Sequence, residues 1–125
     1  MVILSLIFFS ASTQVYAEPK NTKGNNSERN TSIANELSQD EIDSLLFMRE
    51  EEKMARDVYL TQYESWNDSV FDNIATSEQE HMDAIKPLLD TYNLPDPVID
   101  EIGAFANSEL EELYNKLVED GEASA

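Results

Sequence analysis

Two short runs of this chain carry side chains able to do chemistry. The first is Glu50-Glu51-Glu52-Lys53-Met54-Ala55-Arg56-Asp57-Val58-Tyr59, and the second is Glu78-Gln79-Glu80-His81. On a helix, Glu-x-x-His sets a carboxylate and an imidazole one turn apart on the same face, and a neighbouring helix supplies a further carboxylate. Such a set is half of a dinuclear metal site built from oxygen and nitrogen donors. The chain has no cysteine, which excludes disulfides, thiolate ligands and cysteine nucleophiles. Oxygen and nitrogen donors without sulfur suit iron, manganese, magnesium or calcium, and zinc where histidine contributes. Serines and aspartates are scattered without a partner base, so nothing supports nucleophilic catalysis.

The elements that must position these residues are helical. Ser38-Gln39-Asp40-Glu41 reads as a capping box, with Leu37 and Ile42 placed to close a hydrophobic staple. Helical spacing then carries Ile42, Leu45, Met48, Ala55 and Tyr59 to about Trp66, where Asn67-Asp68-Ser69 forms a turn. A second helix, capped by Asp68 or Ser69, follows Phe71, Ile74, Ala75, Met82, Ile85, Leu88 and Leu89. Asn93-Leu94-Pro95-Asp96-Pro97 stops it. Pro87 lies inside this helix and predicts a bend more than a turn beyond His81. A third helix opens at Ser108-Glu109-Leu110-Glu111, read as another capping box, and runs to Gly121. No segment reads as a strand.

Register turns the two runs into a candidate site. On the second helix, positions 71, 74, 78, 81, 85 and 88 form one three-four series that includes Glu78 and His81 among apolar residues. On the first helix the series 45, 48, 52, 55 and 59 places Glu52 inward, and a competing series, 44, 48, 51, 55 and 58, places Glu51 there instead. The presence of Leu45 favours Glu52. A buried carboxylate is costly unless paired or metal-bound. The structural alternatives are that the triple-glutamate run is a solvated face, with Glu52 paired to Arg49 or Arg56, and that His81 is a packed core residue. Tyr59 and Trp66 read as core aromatics.

Residues 1–17 combine a short apolar run with Val15-Tyr16-Ala17, the pattern of a secretory signal peptide cut after Ala17. The run is shorter than the ~20 apolar residues of a membrane span. It lacks the basic residues that ordinarily precede such a run. Residues 18–36 are rich in Asn, Ser, Thr and Lys and poor in apolar side chains, the composition of a flexible tether. The matches to Asn-x-Ser/Thr at Asn25 and Asn30 reflect that composition. A helical domain is expected over 37–125. The formal charge of −18, from 26 acidic and 8 basic residues, argues against nucleic acid and anionic membrane surfaces as partners and favours cations. An exported protein, periplasmic or extracellular, is the expectation.

Glu52 to Tyr59 is similar to the first metal-ligand helix of rubrerythrin-type proteins, in which the ligand Glu is followed by Ala-Arg and then by Tyr. Glu78-Gln79-Glu80-His81 resembles their second-helix Glu-x-x-His. More closely, Leu37 to Pro97 resembles a mostly prokaryotic domain-of-unknown-function family, 2202, of the ferritin-like superfamily. The phrases are Phe47-Met48-Arg49-Glu50-Glu51-Glu52-Lys53, Ala55-Arg56-Asp57-Val58-Tyr59, Ser77-Glu78-Gln79-Glu80-His81-Met82 and Tyr92-Asn93-Leu94-Pro95-Asp96-Pro97. The resemblance implies an all-α fold, a ferritin-like antiparallel helical hairpin plus a short third helix, as a partial four-helix bundle. It implies Glu52, Glu78 and His81 as metal ligands, and the family brings no settled activity with it; the expectation for this chain is iron or manganese binding, with ferroxidase or oxygen and peroxide chemistry. Members of that family continue into a second hairpin, so the resemblance also implies a chain truncated at its C-terminus. A stripe of Leu45, Met48, Phe71, Ile74, Ile85 and Leu88 left open by a lone hairpin leads to the expectation of a homodimer. The competing reading is a non-catalytic acidic helical interaction module of the cell envelope.

Overall fold

The computed structural model describes residues 37–123. The expected signal peptide (1–17) and tether (18–36) lie outside the described residues. The fold is all-α, in the order α1 (Gln39–Trp66), α2 (Ser69–Thr91) and α3 (Ser108–Glu122), with no strand among the described residues.

Local chemistry sets each boundary. Ser38 and Glu41 form the capping box that starts α1: the Glu41 N–H donates to Ser38 Oγ (3.3 Å) and the Ser38 N–H to Glu41 Oε2 (2.8 Å). Asn67 ends the helix in the left-handed region at φ 49°, its N–H returned to the Tyr63 carbonyl. Asp68 immediately caps α2, accepting the Val70 N–H at 3.0 Å. This two-residue link reverses the chain. Tyr59 stacks on Phe71, Arg56 meets Gln79, Glu52 meets His81 and Arg49 reaches the Met82 carbonyl, so α1 and α2 are antiparallel. The helix passes through Pro87 and continues to Thr91. It closes with Asn93 at φ 54°, the Leu94 N–H on the Leu89 carbonyl and the Asn93 N–H on the Asp90 carbonyl, a Schellman arrangement.

Residues 92–107 carry the chain back along α1, and the side chains that hold them are polar. Arg49 donates from Nε and Nη2 to the two Asp96 oxygens (3.1 and 2.9 Å) and from Nη1 to the Met82 carbonyl (2.6 Å). Lys53, fully buried, donates to the Asp57 carboxylate and to the carbonyls of Glu101 (2.8 Å) and Ala104 (3.1 Å), with its ammonium 4.3 Å from the Phe105 ring centre. Asp57 accepts from Arg56 and from the Gly103 N–H. Glu50 accepts the N–H groups of Ala106 (2.6 Å) and Asn107 (3.2 Å) just ahead of α3. Gly103 has φ +80°, and a Cβ there would stand 2.7 Å from the Tyr114 ring, so only glycine fits.

The third helix is capped by Asn107, whose side chain accepts from Glu109 and Leu110, and not by Ser108 as its sequence suggests. Leu110 and Phe105 pack with Met54 and Val58, and Tyr114 meets Thr61 at 2.8 Å, so α3 runs parallel to α1. It contacts α1 and, among the described residues, leaves α2 untouched. Trp66 is largely exposed, contrary to its reading as core, with its Nε1 donating to Gln62. No described helix is long and apolar enough to cross a membrane.

The Lys53–Asp57 pair anchors the return segment, which gives a direct test. Lys53→Met leaves Asp57 buried without its lysine and frees two carbonyls, and should cost about 3 kcal/mol. Lys53→Met with Asp57→Leu should recover part of that loss. Urea unfolding followed by circular dichroism reads both variants; a loss for Lys53→Met below about 1 kcal/mol would show that 92–107 is held by other contacts.

Candidate metal centre

Glu52 projects from the middle of α1 towards α2 because Lys53, the next residue, is fixed on the side of the return segment. One residue is about 100° of helix, so locking Lys53 there turns Glu52 to the α2 contact. Glu78 and His81 meet it from α2. The buried stripe of α2 is Ala75, Glu78, Met82, Ile85 and Leu89, one edge over from the series 71, 74, 78, 81, 85 and 88 read from the sequence. Glu78 and Ile85 belong to both series. His81 and Leu88 therefore lie at the edge of the contact and not in its centre. The same displacement leaves Met48 exposed on α1.

The three side chains converge. His81 Nδ1 stands 3.2 Å from Glu52 Oε2 and 3.0 Å from Glu78 Oε2, and one donor atom from each residue lies within 4.8 Å of the others. The Glu78 side chain is 3% exposed, that of Glu52 24% and that of His81 53%, so the cluster is closed from within and open at its imidazole. Burial pushes Glu78 above the ordinary carboxylate value, the Glu52 carboxylate adds to this, and His81 pulls it back. Burial pulls His81 down, but hydrogen bonds to Glu52 and Glu78 and their charges outweigh it and raise the imidazole above 6.5. Burial and then the charge of Glu78 raise Tyr59. Glu51, the competing candidate, is half-buried beside the set and raised by burial and by Glu52.

Separations of 3.0 and 3.2 Å are hydrogen-bond distances. They are also close to the ~3 Å between adjacent ligands of an octahedral ion with bonds of about 2.1 Å. The arrangement can hold either a proton on the imidazole or a cation among the three donors.

Neither local alternative for Glu52 is realised. Arg49 is turned to Asp96 and Arg56 to Asp57 and Gln79. Sequence reading missed the burial of Arg49, Glu50, Lys53 and Asp57; the available clue was the Lys53/Asp57 spacing of four, which places opposite charges one turn apart.

The chain is 60% identical over 89 residues to the uncharacterized protein MJ0754 of Methanocaldococcus jannaschii, covering 70% of this chain and 48% of that protein. The crystal structure of hypothetical protein MJ0754 superposes with a TM-score of 0.70 at 56% identity, over 75% of this chain and 54% of that one. The chain thus spans about half the length of the relative it matches. The family described as an uncharacterized protein domain, DUF2202, matches residues 41–125, and the chain belongs to that family.

Proposed function

We propose that the chain is a ferritin-like metal-binding protein in which Glu52, Glu78 and His81 hold iron or manganese as one half of a dinuclear carboxylate centre. The observation that carries this reading is the convergence of two carboxylates and an imidazole, from two helices, within 4.8 Å of one another. The donor set suits these metals: two hard oxygens and one nitrogen, without sulfur, on an acidic protein that attracts cations. Iron held there supplies one-electron exchange with oxygen or peroxide, the basis of a ferroxidase-type activity. Glu78 fixes the inner wall, Glu52 closes the α1 side, and His81 is the ligand that solvent reaches. We further place the protein outside the cytoplasm, periplasmic or extracellular, on the apolar run and small-residue cut site at 1–17.

Metal content tests the assignment. The purified chain, loaded anaerobically with ferrous iron or with manganese and desalted, should retain metal by elemental analysis. Glu78→Ala and His81→Ala should each lose it with helicity unchanged, and Glu80→Ala, one position off the site, should retain it. Equal metal in all four proteins would remove this reading and leave an acidic interaction module binding calcium loosely at its surface.

The proton that competes with metal can be followed at the single histidine. In the metal-free protein its ring resonance should titrate above 6.5, since the folded state favours the imidazolium. A raised value means that this contribution to stability is fully present below 6.5 and is lost as pH rises through the folded value. Metal displaces that proton, so the resonance should cease to titrate in this range once the site is loaded. A midpoint at or below 6.5 without metal would show that Glu52 and Glu78 do not hold the ring.

A further inference from the structure

Three polar rungs join α1 to α2 around the candidate centre. Arg49 donates to the Met82 carbonyl at 2.6 Å, Glu52 meets His81 at 3.2 Å, and Arg56 donates to Gln79 Oε1 at 2.6 Å. The Glu52 rung lies between the two arginine rungs, about 5 Å along α1 from Arg49 and about 6 Å from Arg56. The link that reverses the chain begins at Asn67, about 22 Å from Glu52. Apolar packing between helices is non-directional and sets their axial offset loosely, whereas a hydrogen bond weakens steeply when misaligned. The offset at Glu52 is therefore set by the rungs beside it.

The Arg56 rung is fixed at both ends. Arg56 Nε and Nη2 grip Asp57 Oδ1 at 3.0 and 2.8 Å, and the fully buried Asp57 is held through Oδ2 by Lys53 and the Gly103 N–H. On the other side, Gln79 Nε2 donates to Asp83 at 2.8 Å. Arginine only donates and an ionised aspartate only accepts, so the Gln79 amide fits between them in one orientation. The rung thus carries the position of the return segment across to the residue next to Glu78. Glu52 and Glu78, as like charges, repel each other, so without metal their approach has to be held from outside the pair.

We infer that Gln79 is a positioning residue of the metal centre: through Arg56 it holds α2 at the offset where Glu78 and His81 meet Glu52 before any metal arrives. Its effect on affinity rests on the metal reading, whereas the convergence it maintains belongs to the metal-free fold. Gln79 hydrogen-bonds to Arg56 and Asp83 and to none of the three donors, so it acts through the helix and not on the ion. It is also the part of the rung that can be removed cleanly. The side chain is half-buried, and Arg56 keeps Asp57 without it. Losing a group that orients metal ligands lowers affinity by about 10- to 100-fold.

Gln79→Leu keeps a good helix former and removes the rung, while Gln79→Glu retains an acceptor for Arg56. The first readout, on the full metal-free chain, is nuclear cross-relaxation between the Glu52 side chain and the ring of His81, the single histidine. It should be present in the wild type and in Gln79→Glu and lost in Gln79→Leu at equal helicity; Gln79→Ala should behave as Gln79→Leu. The second is manganese affinity, followed by the electron-spin signal of the free ion, which should fall at least about tenfold in Gln79→Leu and remain undiminished in Gln79→Glu. The added charge of Gln79→Glu attracts manganese by itself, so cross-relaxation, which involves no ion, decides. A merely stabilising role would move the urea midpoint and leave that contact intact in the folded state. Cross-relaxation equal in Gln79→Leu and wild type, or absent from the wild type, overturns the role of Gln79, as does a lost contact with full manganese affinity. Manganese bound by no variant removes the metal reading, and cross-relaxation still decides whether Gln79 holds the offset.

Discussion

Lys53 is the residue on which the arrangement of the chain turns. Its ammonium has no exposure and three donors, and it uses them on Asp57, the Glu101 carbonyl and the Ala104 carbonyl, with Phe105 beneath. A buried charge is tolerable only when so fully matched. The match fixes the path of the return segment and, by the same contacts, the rotation of α1 about its own axis. Glu50 then lies where it can accept the N–H groups ahead of α3. Glu52 is turned the other way, to α2.

That constraint explains which parts of the structure were legible in the sequence. Helix ends were, because each depends on one or two residues acting locally: the Ser38 and Glu41 box, Asn67 in the left-handed region, Asp68 capping α2 and Asn93 after it. The start of α3 was misassigned by one residue because Asn107 and Ser108 both cap well, and the acceptance of its N–H by Glu50 is a tertiary fact. The convergence of Glu52 with Glu78 and His81 was legible from spacing. The choice of Glu52 over Glu51 rested on Leu45, which is half-buried where Ser44 is exposed, a slender margin since Met48 and Ala55 belong to both series. Lys53 secures it.

The offset on α2 has a related cause. A periodic reading weights large apolar residues, and Phe71, Ile74 and Leu88 draw the stripe to one side. Packing against α1 selects Ala75, Met82 and Leu89 instead, where a small residue allows close approach. The same offset leaves His81 at the edge, accessible to solvent, and the large residues left beside it give that edge its apolar character. The opposite edge of the α1/α2 contact is closed by Arg49 with Asp96 and by Arg56 with Gln79.

Cations on α1 are few and already engaged. Arg49, Lys53 and Arg56 all lie within four residues of Glu52, close enough in sequence to neutralise it. Each is turned elsewhere, Arg49 to Asp96 and Lys53 and Arg56 to Asp57. Lys86 and Lys116 pair within their own helices, with Asp90 and Asp120. Among the described residues, Glu52 and the buried Glu78 thus face each other with only the imidazole of His81 between them. Two adjacent carboxylates, one of them out of water, need a positive charge to remain together ionised. Among the described residues the arginines and the buried lysine hold the return segment and the helix contact, so the charge nearest to hand is a proton on His81 or an ion taken from solution.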